Sequence, residues 1–360
     1  MDPDTEVDVD MSPFLIRYKS GRVRRLISPH RVAAGADAAT GVTSKDVAII
    51  DAGAAGLAAR LFVPTDVLGT STRLPLLVFF HGGAFALHSA FSGAHSRLLN
   101  ALVSASRVVA VSVEYRLAPE HPVPAAYDDA WAALIWAVAA ASRAAGSGSS
   151  SPEEPWLCAH GDVARLFVAG DSAGANMAHQ VALRAGRGGG GGSGLPGGAR
   201  IEGIALLHPY FRGRELVPSE GTDPRSPERQ LAERWWAFVC AGRYGFDHRF
   251  INPLAMPAAE WAALGCRRAM VTVAELDTMS DRGRRYVAAL RGSGAWAGEE
   301  AVLYETRGEG HVFFLRKSDG RDTAKEEMIA AVASFFMASS SAEARLGRPS
   351  ARSLRCDAKL

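Results

Sequence analysis

The chain has 360 residues, of which 48% are apolar and 22% charged, so its composition excludes the low-hydrophobicity class of disordered proteins. Its 40 Lys and Arg residues nearly balance 38 Asp and Glu residues, for a net charge of +2, which argues against a protein that binds nucleic acid or anionic membranes through bulk charge. Four scattered cysteines show no paired spacing, which excludes a zinc ribbon and a small disulfide scaffold. The length leaves open two average domains or one large α/β domain.

The first residues do not resemble a targeting segment. Five of the first ten are acidic, whereas a secretory signal begins with basic residues and continues with an apolar stretch. The longest apolar run, 131–141, is about half of the roughly 20 residues that a membrane span requires, and it predicts a buried helix. We therefore expect no membrane insertion and a reducing compartment, the cytoplasm, with the nucleus left open.

Charge patterns outside the apolar runs indicate no macromolecular ligand. A basic cluster between Arg17 and Arg31 contains the turn-like run Lys19-Ser20-Gly21-Arg22. It lacks interleaved aromatic residues, so it predicts a solvated hairpin face and no nucleic-acid partner. The sequence leaves protein partners unknown.

From residue 47 onward, short runs rich in β-branched and aromatic residues alternate with longer helix-like stretches. This alternation predicts a mainly parallel sheet with helices on both faces. Strands are expected at 47–50, 58–63, 75–80, 108–114, 165–169, 202–208, 269–274 and 300–305. Helices are expected at 125–142, 173–187, 281–291 and 323–337.

Three segments interrupt or follow this pattern. Residues 146–152 are rich in Ser and Gly, and eight of the twelve residues in 187–198 are glycine, so both are expected to be flexible solvent loops. A two-domain split at the glycine run would leave each half with an incomplete sheet, which favours a single catalytic domain. Residues 339–360 lack periodicity and predict a disordered basic tail.

The predicted strand 165–169 leads directly into Gly170-Asp171-Ser172-Ala173-Gly174 and then into a predicted helix. A G-x-S-x-G run between a strand and a helix is the context of a nucleophile elbow. The tight turn requires small residues on both sides, which Gly170 and Gly174 provide. Ser172 is therefore the candidate nucleophile.

A serine hydroxyl needs a base that a carboxylate orients, and in this arrangement the chain order is Ser, then Asp or Glu, then His. Of the histidines that follow Ser172, His208 ends a predicted strand and His248 lies in a charged aromatic loop, so both are expected to be structural. His311 lies in a glycine-bearing loop after the strand 300–305, where it can point toward the elbow. His311 is therefore the candidate base.

The candidate carboxylates follow the strand 269–274. Asp277 lies just beyond the end of this strand and is favoured. Asp281 begins the next predicted helix and suits an N-terminal dipole partner, and Glu275 stays open with it.

The oxyanion of a tetrahedral intermediate needs fixed N–H donors. One is expected from Ala173 and two from Gly82 and Gly83, because His81-Gly82-Gly83-Ala84-Phe85 directly follows the apolar strand 75–80. No metal or organic cofactor is implied. The sequence does not assign the substrate pocket, and the aromatic and apolar candidates are Phe85, Leu87, His88, Phe91, Tyr210, Phe211, Trp235, Trp236 and Phe314.

At these motifs the sequence resembles the plant carboxylesterases of the hormone-sensitive-lipase-like branch of the α/β-hydrolases, which also contains the gibberellin receptors. The segments that carry the resemblance are His81 to Phe85, Tyr115 to Glu120, Pro122 to Asp129, Gly170 to Gly174, Leu276 to Arg282, Phe14 to Leu26 and Thr40 to Asp46. The resemblance covers about residues 12–337, without the glycine insert and the tail. Many members have a third glycine where this chain has Ala84, a difference expected to narrow the pocket.

The resemblance implies an α/β-hydrolase fold with a mainly parallel eight-stranded sheet, helices on both faces and a small N-terminal lid. It divides the chain into a lid and first strand region at 1–45, a catalytic domain at 46–338 and the tail at 339–360. It also implies a Ser172, Asp277, His311 triad, an oxyanion hole at Gly82, Gly83 and Ala173, and a loop-shaping role for His81.

The predicted function is a serine carboxylesterase that hydrolyses small carboxylic esters through an acyl-enzyme. Two alternatives come from the same resemblance. Gibberellin receptors bind a hormone in the covered pocket but have lost the catalytic histidine, which is present here as His311. Hydroxyisoflavanone dehydratases use the same site for elimination and can carry threonine at the nucleophile position, so Ser172 favours ester cleavage.

Overall fold

A computed structural model describes residues 3–27, 29–49, 56–143, 154–187, 194–317 and 320–338. The predicted loop 146–152, residues 188–193 of the glycine insert and the predicted tail 339–360 lie outside these residues. A nine-stranded sheet forms the centre of the described part, in the order β12-β11-β10-β9-β7-β8-β6-β5-β4. Its strands are β4 (Ala36–Asp37), β5 (Val42–Ala48), β6 (Ala58–Pro64), β7 (Leu74–Phe80), β8 (Val109–Glu114), β9 (Gly161–Asp171), β10 (Ile201–Leu207), β11 (Cys266–Ala274) and β12 (Glu300–Thr306).

The six strands from β12 to β8 pair in parallel, and β6, β5 and β4 extend the sheet in antiparallel fashion. The central strands are continuous apolar runs because both faces of the parallel part are covered; every residue of β7 is buried. The predicted α/β-hydrolase architecture is confirmed.

The antiparallel edge differs from the prediction. The strand expected at 47–50 runs from Val42 to Ala48, and the two-residue β4 adds a ninth strand beyond the predicted eight. The sheet therefore begins at Ala36, and β5 crosses the predicted boundary between residues 45 and 46. The run Thr43-Ser44-Lys45-Asp46 is polar because this edge is partly exposed, so it lacks the apolar pattern of a buried strand.

Helices cover both faces of the sheet: α1 (Gly93–Ser106), α2 (Ala125–Ser142), α3 (Pro155–His160), α4 (Ala173–Gly186), α5 (Pro227–Val239), α6 (Ala258–Trp261), α7 (Ser280–Gly292) and α8 (Thr323–Met337). The cluster of buried residues that includes α1 and α8 packs on one face, and that of α2, α4 and α7 packs on the other. The sequence did not predict α1, α3, α5 or α6. The two longer ones, α1 and α5, each carry a side-chain cap, in which Ser92 accepts the N–H of His95 and Ser226 accepts that of Arg229.

The N-terminal residues form a separate three-stranded antiparallel sheet of β1 (Val7–Met11), β2 (Leu15–Tyr18) and β3 (Val23–Arg25). Phe14, in the turn between β1 and β2, packs edge to face against Trp235 of α5 with ring centroids 5.3 Å apart. Arg25 binds Glu120 through two nitrogens and also donates to the carbonyl oxygen of Ala86. This small sheet is thereby attached to elements that follow β7 and β8.

None of the helices in the described ranges is long and apolar enough to cross a membrane. The loops that follow β7, β9, β11 and β12 leave the sheet at the carboxyl ends of parallel strands, so they meet at one edge. Ligands of α/β proteins bind at this edge.

Candidate active site

Ser172 lies at the sharp turn between β9 and α4, with φ +52° and ψ −114°, a backbone conformation that is strained for a residue with a side chain. Its N–H donates to the carbonyl oxygen of Leu207 on the neighbouring strand β10 at 2.8 Å. Gly170 and Gly174 are required here because a Cβ on either would approach backbone atoms of Phe80 within 2.5 Å. The turn therefore presents Ser172 at the edge of the sheet where the other site loops meet.

His311 connects this serine to Asp277. Its Nε2 lies 2.9 Å from the Oγ of Ser172, and its Nδ1 lies 2.7 Å from the Oδ2 of Asp277. The other carboxylate oxygen of Asp277 accepts the N–H of Met279 at 2.9 Å. A carboxylate that accepts the Nδ1 proton leaves a lone pair on Nε2 facing the hydroxyl, which is the arrangement that activates a serine.

The carboxyl group of Asp277 is held in its charged form. Burial by itself would raise the pKa of Asp277, but the hydrogen bond from His311, the charge of that ring and the N–H of Met279 outweigh burial and lower the pKa. The side chain of Asp277 is only 2% exposed, whereas that of His311 is 31% exposed and can reach a substrate.

The other carboxylates that the sequence left open have different partners. Glu275 accepts the N–H of Gly308 at 2.8 Å. Asp281 accepts the N–H of Ser219 and pairs with Arg284, as suits the first turn of α7. His248 accepts the N–H of Phe250 and lies against Tyr244, which is a structural role. Of the predicted alternatives, the structure brings Asp277 and His311 to Ser172.

In the glycine loop after β7, the N–H groups free to bind an oxyanion lie one residue later than the sequence predicted. The N–H of Gly82 donates to Oδ1 of Asp171 at 3.0 Å, so this expected oxyanion donor is already engaged. Gly83, with φ +110°, and Ala84, with φ +49°, line the same cavity as Ser172. Within the described ranges their N–H groups donate to no protein acceptor. The available donors of this loop are thus Gly83 and Ala84, joined by Ala173, whose N–H at the start of α4 has no intrahelical acceptor.

Asp171 belongs to a buried network beneath this loop. Its Oδ1 also lies 3.1 Å from Nε2 of His95, and Nδ1 of His95 lies 2.9 Å from the Oγ of Ser92. Burial alone would raise the pKa of Asp171, but the charge and hydrogen bond of His95 outweigh burial and lower the pKa. Asp171, which stands between Gly170 and Ser172, therefore connects the turn at Ser172 to the glycine loop.

His81 is also part of this buried support. Its ring stacks on Tyr115 with centroids 4.2 Å apart, and the Tyr115 hydroxyl donates to the carbonyl oxygen of His81 at 2.8 Å. Burial, followed by the charge of His95, lowers the pKa of His81 to about 3. A fully buried, neutral ring suits the shaping of a loop and not acid–base chemistry.

A cavity of about 470 Å³ opens above Ser172. Most of its wall is apolar, and of the pocket candidates from the sequence, Leu87, His88, Tyr210 and Trp235 line it. Sequence reasoning missed Phe14, Leu231 and Leu315, because nothing local marks residues from the N-terminal sheet, α5 and the loop after β12 as neighbours. Arg212 and Glu228 add one positive and one negative side chain to the wall.

One group of side chains has the composition of a metal site. Potential ligand atoms of His208, Asp277 and His311 all lie within 4.8 Å of one another. The Nδ1 lone pair of His208 already accepts the N–H of Val312, and both nitrogens of His311 take part in the hydrogen bonds to Asp277 and Ser172. The donor atoms are thus used within the protein, and the geometry does not favour a cation there.

Comparison with known proteins supports the same family as the motifs. Residues 77–315 match a protein family whose description is alpha/beta hydrolase fold. It is 40% identical to probable carboxylesterase 13 of Arabidopsis thaliana, over 92% of this chain and 98% of that protein. It is 40% identical to 2-hydroxyisoflavanone dehydratase of Glycyrrhiza echinata, over 92% of this chain and 97% of that protein. It is 41% identical to tuliposide A-converting enzyme b2, amyloplastic, of Tulipa gesneriana, over 92% of this chain and 80% of that protein.

A solved structure extends the likeness to the fold. A thermostable esterase from Pseudomonas putida superposes with a TM-score of 0.66 at 24% identity, covering 84% of this chain and 85% of that one. The family match, the plant relatives and the esterase fold agree with one another. The chain belongs to the α/β-hydrolases and, among them, to the plant carboxylesterases of the hormone-sensitive-lipase-like branch, and it is a carboxylic ester hydrolase.

Proposed function

We propose that the protein hydrolyses small carboxylic esters through an acyl-enzyme on Ser172. The observation that carries the proposal is the continuous hydrogen-bonded chain from the Ser172 Oγ through His311 to Asp277, at 2.9 and 2.7 Å. The mostly apolar cavity above Ser172 suits a neutral ester rather than a charged substrate.

In the first half-reaction, the Ser172 Oγ forms a bond to the ester carbonyl carbon and passes its proton to Nε2 of His311. Asp277 orients the ring and stabilises the imidazolium. His311 then gives the proton to the leaving alcohol as the carbon–oxygen bond breaks. In the second half-reaction, water attacks the acyl carbon as His311 takes its proton. His311 then returns this proton to the Ser172 Oγ as the bond between Oγ and the acyl carbon breaks and the carboxylic acid leaves.

The oxyanion of both tetrahedral intermediates is assigned to the N–H groups of Gly83, Ala84 and Ala173. Each preorganised donor of this kind is typically worth about 3 kcal/mol of transition-state stabilisation. Gly82 is assigned a supporting role instead, because its N–H anchors the loop to Asp171.

The N-terminal residues 1–45 are proposed to include a lid over this cavity. Phe14 contributes to the cavity wall and packs against Trp235, whose Nε1–H donates to the carbonyl oxygen of Ala84 at 2.9 Å. The small sheet is therefore linked through one tryptophan to the loop that carries the oxyanion donors. The cytoplasmic location is retained as a prediction.

The test is hydrolysis of 4-nitrophenyl acetate and butyrate by the purified chain. Ser172→Ala and His311→Ala should each lower kcat by about four powers of ten or more, because the nucleophile and its base act as a unit. Ser334→Ala, on the exposed side of α8, is the matched control and should keep the wild-type kcat. Equal activity of Ser172→Ala and the wild type would refute the proposal.

A second candidate function has a specific observation behind it, namely the 40% identity to a 2-hydroxyisoflavanone dehydratase. Incubation with a 2-hydroxyisoflavanone separates the two functions, because elimination releases water and leaves an isoflavone. Hormone binding without turnover is the less favoured alternative, since His311 keeps its hydrogen bond to Ser172. Unchanged gibberellin together with a new protein complex would support that alternative.

A further inference from the structure

His208, which the sequence analysis set aside as structural, lies directly against the Asp277–His311 pair. It follows the last residue of β10, and its side chain is fully buried. Its Nδ1 lies 3.8 Å from Oδ2 of Asp277, and its ring centroid lies 5.9 Å from that of His311. The proposed mechanism assigns no role to this third ring.

The protonation of this ring follows from its hydrogen bond. Nδ1 of His208 accepts the N–H of Val312 at 3.0 Å, so Nδ1 must carry the lone pair and Nε2 the proton. Burial, followed by the charge of His311, lowers the pKa of His208 to about 4. The ring is therefore neutral at neutral pH and turns a lone pair, not an N–H, toward the site.

Val312, the donor in this bond, directly follows His311 and needs to be held. Its backbone has φ +47° and ψ +35°, a left-handed conformation that costs a β-branched residue about 1–3 kcal/mol and persists only where surrounding contacts enforce it. Asp277 fixes the far end of the His311 side chain, and the bond from Leu276 to Glu309 holds the main chain before His311. The bond from Val312 to His208 holds the main chain at the residue that follows His311.

The environment of His208 makes it a rigid support. Its backbone N–H donates to the carbonyl oxygen of Thr272 on β11 at 3.0 Å, and the rings of Phe313 and Phe314 pack on its imidazole with centroids 5.7 and 5.1 Å away. His208 thus attaches Val312, in the loop after β12, to the carboxyl ends of β10 and β11. The bonds from Gly308 to Glu275 and from Leu276 to Glu309 hold the earlier part of the same loop.

We propose that His208 is a positioning residue that acts through His311: its Nδ1 lone pair fixes the main chain next to the base. With the lone pair on Nδ1, His208 does not compete with His311 for a hydrogen bond to the carboxylate of Asp277. The opposite tautomer would direct an N–H toward Oδ2 of Asp277 and lose the bond to Val312. This inference rests on the proposed esterase function and adds a residue to its machinery.

The test compares three variants of His208 that keep, remove or displace the atom that accepts the N–H of Val312. His208→Asn places its side-chain oxygen near the Nδ1 position and should keep kcat within about fivefold of the wild type. His208→Leu has similar bulk without an acceptor and should lower kcat of nitrophenyl butyrate hydrolysis about 10- to 100-fold, with KM changed less than about threefold, because small misplacements of a catalytic group cost factors of this size. His208→Gln extends its amide beyond that position and should behave like His208→Leu.

His248→Leu is the matched control, since His248 also accepts a backbone N–H through Nδ1, from Phe250, but away from Ser172. Its kcat should equal that of the wild type. If His208→Leu does not fold, the contrast between His208→Asn and His208→Gln carries the same information.

Equal kcat values for His208→Asn and His208→Gln, or a loss that falls on KM, would overturn the positioning role. The failure of the proposed function looks different. In that case the wild type shows no hydrolysis that depends on Ser172, whereas a failure of this inference alone leaves an active wild type and variants that do not differ.

Discussion

The most informative substitution in this chain is Gly174→Ala, because two physical effects predict opposite results. Gly174 is the second residue of α4 and has an ordinary helical backbone. Replacing a helical glycine by alanine stabilises a helix by up to about 1 kcal/mol, so helix propensity predicts a more stable protein.

The tertiary contacts predict the reverse. A Cβ on Gly174 would lie 2.8 Å from the carbonyl oxygen of His81 and nearer still to that of Phe80. Ordinary carbon–oxygen contacts are roughly 3.3 Å or longer, so the backbone at residues 80–81 must retreat by on the order of 1 Å. Overpacking of this kind costs about 1–3 kcal/mol, which exceeds the gain in propensity, and we expect the unfolding free energy to fall by up to about 2 kcal/mol.

The same displacement moves the loop that carries Gly83 and Ala84. A shift on the order of 1 Å can cost about 100-fold in rate, so kcat for a nitrophenyl ester should fall about 100-fold. Denaturant midpoints and kcat are measured side by side. Gly292→Ala is the matched control, since Gly292 ends α7 and a Cβ there meets no atom within 4 Å. It should leave kcat unchanged, and a Gly174→Ala variant as stable and active as this control would refute the packing argument.

Two further predictions concern the glycine loop and acid stability. Gly83→Ala should lower kcat for nitrophenyl esters about 100-fold or more, because a Cβ on Gly83 would lie 2.6 Å from the carbonyl carbon of Leu87, and the φ of Gly83 is +110°. Ala84→Gly keeps the backbone N–H of residue 84, and its kcat should stay within about threefold of the wild type. Similar losses of kcat in both variants would contradict the donor assignment. Burial, followed by the charge of Arg187, lowers the pKa of His179 to about 3 from its ordinary 6.5, so below pH 6.5 the unfolded chain binds a proton that the folded chain refuses, and stability is lost as the pH falls. His179→Gln should therefore flatten the decline of the unfolding free energy between pH 7 and 5, by about 1.4 kcal/mol per pH unit at most. Denaturant titrations at each pH measure this free energy, and an unchanged slope would count against this explanation.

The sequence determined the elements whose signals are local. Gly170 and Gly174 flank Ser172 because the turn between β9 and α4 leaves no space for a Cβ, so the spacing alone predicts the elbow. The central parallel strands were predicted well because burial on both faces makes them nearly continuous apolar runs, as in β7. The order of Ser172, Asp277 and His311 along the chain also follows from the fold class, which the α/β alternation indicates.

Tertiary structure decided what depends on residues distant in the chain. Among Glu275, Asp277 and Asp281, the folded chain brings Asp277 within 2.7 Å of His311, a contact across 34 positions. The proposed oxyanion donors lie one residue later in the glycine loop than the sequence predicted, because Asp171, 89 positions away, accepts the N–H of Gly82. A sequence motif contains the residue types of such contacts but not their register.

The role of His208 and the walls of the cavity have the same physical origin. A lone histidine before a proline gives no local signal of its role. His208 meets Asp277 and Val312 only because β10, β11 and β12 are neighbours in the sheet and their carboxyl ends lie side by side. Local periodicity and turn chemistry thus determined the strands, the elbow and the residue types of the site. The pairing of buried polar groups across the sheet edge decided which of these residues meet, because most buried donors and acceptors find their partners only in the folded chain.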